Sequence, residues 1–268
     1  MMDSDTHLYC VFGNPVRHSK SPVLHNAFFQ RHHINAVYLA FEIDEIAKGL
    51  TAIKTLNIKG ASVTIPFKES IMAELDWIDA DALDIGAVNT VVNNNGKLLG
   101  YNTDYKAAIT PLKPFGIKSK SVCIIGAGGA AQAVAYGIHK EGGKLVVINR
   151  NKHRGETLAQ KYDAQFISMD EISKIEKIKT DIIINTTSIG MTPDIETSPI
   201  PSAVLNSKMI VMDIVYNPLK TKLLSAAQDK GCTTIDGLSM FMHQGAAQFK
   251  VWTGISPDIE WIHQTIMG

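Results

Sequence analysis

Residues 61–68 read ASVTIPFK, an apolar and β-branched run that stops at a proline and then presents Lys68. A lysine at the end of a strand-like segment is either solvated, its ordinary fate, or a proton donor held over a pocket. A second chemical signal is GAGGAA, Gly126 to Ala131, which follows VCIIG and opens a helix-like stretch. This is G-x-G-x-x-A in the strand-to-helix setting that a dinucleotide needs. Gly126 allows a tight turn and Gly128 a close approach of backbone to a pyrophosphate. Ala131 lets the helix pack near the strand, and the amides of Ala127, Gly128, Gly129 and Ala130 face the phosphates. The competing reading is a glycine-rich turn that binds nothing.

The strand that follows, KLVVINR, discriminates between cofactors. NAD sites usually end this strand with an acid that holds the ribose 2′-hydroxyl. Here the residues are Asn149-Arg150-Asn151-Lys152-His153-Arg154. Arg150 and Arg154 suit a 2′-phosphate, and cations at a helix amino terminus oppose its dipole unless an anion is present. The expected cofactor is therefore NADP. No metal is expected, because the nine histidines form no HExxH pair and the three cysteines no CxxC. Cys10, Cys123 and Cys232 read as buried thiols of a reducing cytoplasm.

The elements that must position these groups alternate along almost the whole chain, as in α/β proteins. HLYCVFG, AVYLAFEI and ASVTIPF read as strands, separated by amphipathic SPVLHNAFFQRHH and EIAKGLTAIKTLN. Asn-Gly between AVNTVVNN and KLLGYNTD predicts a hairpin, so the first region is a mixed sheet with helices. From Ser121 the pattern is regular β-α-β, with strands VCIIGAG, KLVVINR, AQFISM, DIIINTT, MIVMDIV and TTID. YKAAITPLKPFGIKSK, with two prolines and a glycine, reads as the domain junction. LSMFMHQGAAQFKVWTG and PDIEWIHQTIMG are helical and belong to no further βα unit, which predicts that they return to the first domain. The expected domains are residues 1–105, completed by 238–268, and a doubly wound, Rossmann-like domain over 106–237. At 268 residues, both have room for a core. Composition excludes other classes. Lys plus Arg and Asp plus Glu are both 26, which argues against nucleic acid. No stretch is long and apolar enough for a membrane span, and the acidic amino terminus has no signal core.

GNPVRHSKSP, SVTIPFK, GAVNT, YNTD, GAGGAA followed by NR, and DGLSMFMHQGA occur in the order found in the shikimate/quinate dehydrogenase family, which the chain resembles over nearly its whole length. The resemblance implies reduction of 3-dehydroshikimate to shikimate by NADPH, in aromatic amino-acid biosynthesis. It implies that Lys68 is the catalytic acid/base and Asp104 its partner; Asp104 also reads as a helix N-cap. It implies that Ser19 and Ser21 hold the substrate carboxylate, although Ser21-Pro22 equally reads as an N-cap with proline at the first helical position. Thr64, Asn89 and Gln244 match positions that hydrogen-bond the substrate, and Tyr216 lines its site. Thr187, Ser188, Ile214, Gly237 and Met240 fall on the cofactor side at strand ends, with Gly237 and Met240 toward the nicotinamide; Met240 also suits an ordinary core. The chain departs from the pattern at Ser62, where asparagine is frequent, at Asn151, where threonine is usual, and at Ile214, where methionine is common.

Two rivals remain at this stage. One is the quinate/shikimate branch, which accepts both substrates and often NAD. The other is a catalytically silent relative, which would be expected to have lost Lys68 and Asp104. The partners expected are small molecules, with the protein a monomer or homodimer.

Overall fold

A parallel strand covered on both faces reads as an unbroken apolar run, whereas a half-exposed one alternates. That difference locates the two sheets of this chain in its computed structural model, which describes residues 2–172 and 179–267. The chain divides into two units, Met1–Thr103 with Met242–Gly268, and Asp104–Phe241.

In the first unit β1 (His7–Gly13) is buried from Tyr9 onward and lies inside the sheet. It is followed by α1 (Ser21–Arg31), β2 (Ala36–Glu42), α2 (Ile46–Thr55), β3 (Gly60–Val63), β4 (Trp77–Ile78), α3 (Ala80–Ile85), β5 (Thr90–Asn94) and β6 (Lys97–Tyr101). The strand order is β2-β1-β3-β5-β6-β4. β1 pairs in parallel with β2 and β3, and β5 pairs antiparallel with β3 and β6, so the sheet is mixed as expected. Asn95 and Gly96 join β5 to β6 with φ of 53° and 88°, the paired positive values of a type I′ hairpin turn. β4 and α3 were not read from the sequence: two and six residues are too short to display a period. Asp79 caps α3 by accepting from the Asp81 amide at 3.0 Å.

The second unit opens with α4 (Asp104–Ile109), then a 3₁₀ turn over Thr110–Phe115. The stretch expected to be a junction is thus helical. Ala107, Ala108, Ile109 and Leu112 are buried in this unit's core, and the prolines fall where the helix changes type. Next come β7 (Ser121–Ile125), α5 (Gly129–Lys140), β8 (Lys144–Asn149), α6 (Lys152–Lys161), β9 (Gln165–Ser168), β10 (Ile182–Asn185), β11 (Ile210–Asp213), α7 (Lys222–Asp229) and β12 (Thr233–Ile235). All six strands are parallel, in the order β12-β11-β10-β7-β8-β9. This is the doubly wound order, reversing between β7 and β10.

α8 (Gly237–Thr253) and α9 (Ile259–Met267) close the chain. From Met242 they belong to the first unit, whereas the expected return begins at residue 238. Phe249 packs its ring 5.2 Å from Phe28 and 5.6 Å from Phe29, and the Trp252 indole donates to the Val91 carbonyl at 3.0 Å. Phe249 is completely buried. Phe249→Ala should therefore cost about 3–5 kcal/mol in urea unfolding. A loss under about 1 kcal/mol would mean that the returning helix is not part of this core.

Candidate active site

Backbone hydrogen bonds help to hold the segment carrying Lys68. β3 ends at Val63, shorter than ASVTIPF suggested, because Phe67 donates its amide to the Thr64 carbonyl and closes a turn over Ile65 and Pro66. Buried Phe67 anchors that turn, leaving Thr64 and Lys68 half-buried. The Lys68 carbonyl accepts from the Val88 amide at 2.8 Å, tying it to the GAVNT stretch.

Asn89, next in that stretch, is buried and joins three segments. Its carbonyl accepts from the Val63 amide at 2.8 Å, and its amide donates to the Tyr101 carbonyl at 3.1 Å. Its Oδ1 accepts from the Thr103 amide at 2.9 Å and the Thr90 hydroxyl at 2.7 Å, while its Nδ2 donates to Thr103 Oγ1 at 2.9 Å. Both lone pairs of Oδ1 are engaged within the protein. Asp104 follows Thr103 directly, is buried, and begins α4 as its first helical residue.

At the start of α1 the arrangement differs from the N-cap reading of Ser21. Lys20 occupies the cap position, Ser21 is the first helical residue, and Pro22 follows. Ser19 Oγ accepts from the Ser21 amide at 3.2 Å, tying the residue before the cap to the first helical amide. Ser21 is buried and Ser19 half-buried. Gln244 lies half-buried on α8.

In the second unit, Gly126 follows β7 with φ 119°, a conformation open to glycine, and a Cβ there would meet Thr186 Oγ1 at 2.5 Å. A Cβ on Gly128 would meet nothing within 4 Å. Crowding by the chain therefore does not explain that glycine, whereas an approaching ligand would. Gly128 occupies the N-cap of α5 without a side-chain cap, and Gly129 and Ala130 start the helix above fully buried Ala131. Ala127 is buried. At the end of β8, Asn149 Nδ2 donates to the Asn151 carbonyl at 2.8 Å. Asn151 caps α6 by accepting from the Arg154 amide at 3.0 Å, which gives this asparagine a structural task where the usual residue is threonine. Arg150 and Arg154 are exposed at the same end of the sheet as Gly126.

Two buried residues that sequence reading missed shape the neighbouring strand ends. Asn185 Oδ1 accepts from the Thr187 amide and hydroxyl, at 3.1 and 2.7 Å, and fixes the Thr187-Ser188 loop. Its Nδ2 donates to Asp213 Oδ1 at 3.0 Å. Asp213 also accepts from the Val215 amide at 3.0 Å and the Thr221 hydroxyl at 2.7 Å. Burial pushes the Asp213 carboxyl up to about 6, against these three donors. The signal was available: IIIN and IVMD are apolar runs ending in polar residues at the carboxyl edge of a parallel sheet. Beyond Asp213, Ile214 is half-buried against the core, and Tyr216 stacks on Phe241 at 4.5 Å. A Cβ on Gly237 would collide with the Ile214 and Val215 carbonyls, so the start of α8 requires glycine there. Met240 is buried among the core residues of this unit. Among the described residues no group of three or more acids, histidines or cysteines could hold a metal ion.

Three family models match in sequence. Residues 11–91 match the shikimate dehydrogenase substrate binding domain, 110–239 shikimate/quinate 5-dehydrogenase, and 237–267 the shikimate 5′-dehydrogenase C-terminal domain. The chain is 44% identical to the NADP(+) shikimate dehydrogenase of Pyrococcus abyssi, over 94% of each. Its fold superposes on the shikimate dehydrogenase of Aquifex aeolicus with a TM-score of 0.92, at 40% identity and covering 100% of both chains. The Thermus thermophilus enzyme, solved with NADP(H) and shikimate, gives 0.88 at 32% identity, over 97% of this chain and 98% of that one.

Asp213 makes stability depend on pH in a defined direction. Its folded value lies above the ordinary 3.8, so the folded state holds the proton longer than the unfolded chain. The stability this gives is complete below about 3.8 and is lost as pH rises through about 6. In Asp213→Asn that dependence is absent. The stability of the parent relative to D213N, from urea unfolding at several pH values, should fall by up to about 3 kcal/mol between pH 4 and pH 6. A flat difference would mean that Asp213 titrates normally.

Proposed function

The chain belongs to the shikimate dehydrogenase family, and on that premise we propose that it interconverts 3-dehydroshikimate and shikimate with NADPH and NADP. The single observation that carries this reading is the cofactor half: a Rossmann strand order whose first turn leaves open space at Gly128 and whose second strand is followed by arginine, not acid. The residues fit NADP. The amides from Ala127 to Ala130 would face the pyrophosphate, and Arg150 and Arg154, with Asn149 and Asn151, would hold the 2′-phosphate. Thr187, Ser188, Ile214, Gly237 and Met240 would border the nicotinamide. When bound, that ring takes up or gives back the hydride at the substrate's alcohol carbon.

The chain's own part is the proton and the geometry. Lys68 Nζ gives a proton to the developing C3 alkoxide on reduction and removes it from the hydroxyl on oxidation. The Asp104 carboxylate orients that amine and offsets part of the cost of burying its charge. Ser19 and Ser21 receive the substrate carboxylate, helped by the amino terminus of α1. Thr64, Asn89 and Gln244 hydrogen-bond the ring hydroxyls and carboxylate, and Tyr216 borders the ring. Among the described residues no helix is long and apolar enough to cross a membrane. Three buried free thiols support a working place in the reducing cytoplasm, as a monomer or homodimer acting on small molecules.

Lys68→Ala should keep the fold and the affinity for NADPH while turnover falls about a hundredfold or more. Turnover within a few-fold of the parent would return Lys68 to a solvated role. Arg150→Ala with Arg154→Ala should raise KM for NADP by about tenfold or more, the loss of charge-assisted phosphate contacts. KM for NAD should stay nearly unchanged. An equal effect on both cofactors would remove these arginines from the 2′-phosphate.

A further inference from the structure

Behind Asn89 the first unit carries a chain of buried polar side chains that the catalytic proposal does not use. The Tyr38 hydroxyl donates to Ser62 Oγ at 2.6 Å, and Ser62 Oγ donates to Gln248 Oε1 at 2.8 Å. Gln248 Nε2 then donates to the Asn89 carbonyl and to Thr90 Oγ1, both at 3.0 Å. Thr90 and Thr103 converge on the Asn89 side chain as described above. Tyr38, Ser62, Asn89, Thr90, Thr103 and Gln248 are all buried, with Gln248 1% exposed. Around it stands an apolar wall. His25 is wholly buried, stacked 4.4 Å from the Tyr38 ring and 5.0 Å from that of Trp252. Neither of its ring nitrogens meets a partner in good hydrogen-bond geometry, although the Gln248 side chain lies close enough to act on the ring. In such surroundings no water competes for the Gln248 amide, and each bond it makes is costly to lose.

The position of Gln248 matters because of what its two donated bonds reach. One ends on the backbone of Asn89, whose preceding residue, Val88, holds the Lys68 carbonyl. The other ends on Thr90 Oγ1, which donates to the Asn89 Oδ1 that also receives the Thr103 amide, one residue before Asp104. A single amide on α8 therefore bears on the backbone of both chain segments that carry the acid/base pair. We propose that Gln248 is a positioning residue for the reaction, fixing through Asn89 and Thr90 the placement of the Lys68 and Asp104 segments, with Ser62 holding its amide in the required orientation. This rests on the dehydrogenase reading above. Displacement of a proton-transfer group by about 1 Å can lower the rate about a hundredfold, so the effect belongs in kcat and not in cofactor binding.

The test is Gln248→Met, which keeps length and volume but makes none of the amide's three hydrogen bonds, and Ser62→Ala, which leaves Gln248 in place. Both are assayed with shikimate and NADP beside the parent, together with NADPH affinity by fluorescence and thermal unfolding. The expected result is a fall in kcat of at least fivefold for Q248M at a temperature where the variant is fully folded. That fall should exceed any rise in KM for shikimate, with NADPH affinity within about twofold of the parent. S62A should move kcat in the same direction, and the double variant should lose no more than Q248M alone, because the two residues act as a unit. A melting temperature that falls while kcat stays within fivefold of the parent makes Gln248 merely structural and overturns the proposal, as does a loss carried by KM. Should Q248M not fold, S62A decides alone: a kcat equal to the parent's overturns the proposal, and a reduced kcat at unchanged NADPH affinity supports it. A parent that does not oxidise shikimate with NADP sinks the dehydrogenase reading and this inference together. An active parent with indifferent variants sinks this inference only.

Discussion

Asn89 is buried, and its main-chain and side-chain groups bond to the pieces of chain that lead to Lys68 and Asp104. Its carbonyl receives the Val63 amide, its amide reaches the Tyr101 carbonyl, and its side-chain oxygen receives the Thr103 amide. β3, β6 and the YNTD turn are thereby referred to one residue. The turn bearing Lys68 gains further restraint from Val88 and from buried Phe67. A lysine at a strand end becomes useful for proton transfer only if its stem cannot wander, since long flexible side chains lose much entropy on ordering. Here the backbone beneath the stem is ordered before any ligand arrives.

The second unit solves a different problem, the presentation of phosphate-binding amides, with the topology of its sheet. Reversal of strand order between β7 and β10 leaves the carboxyl ends of both strands uncovered by a crossover. Gly126 turns the chain there, and its amide donates to the Ile148 carbonyl of β8 at 2.8 Å. The adjacent loops are pinned from below, by Asn185 after β10 and by Asp213 after β11. Asp213 pays for this with a carboxyl pushed up by burial. Such a residue is tolerated because three donors converge on it.

The legible part of this protein was whatever local pattern dictates. Alternation of strands and helices, the Asn95-Gly96 hairpin, the G-x-G-x-x-A turn and the absence of an acid after β8 all stand in the sequence as they stand in the fold. What could not be read was decided by contacts between distant residues. β3 stops early because Phe67 folds back on Thr64, and the proline-rich stretch after Tyr105 stays helical because its apolar face is wanted by a core. Lys20, not Ser21, occupies the cap of α1, a shift of one residue that periodicity does not resolve. Gln248 looks like any polar position on a helix until Ser62, 186 residues away, is seen to donate to it. The motifs single out residues such as Lys68 and Asp104; the polar contacts around them are written nowhere locally.

All of these features converge on one substrate and one cofactor, and a steady-state comparison of shikimate and quinate, each with NADP and with NAD, tests that directly. The account predicts the highest kcat/KM for shikimate with NADP, because Arg150 and Arg154 stand where an acid would select NAD. If quinate with NAD gives the highest value, the account is wrong about both the substrate and the meaning of those arginines.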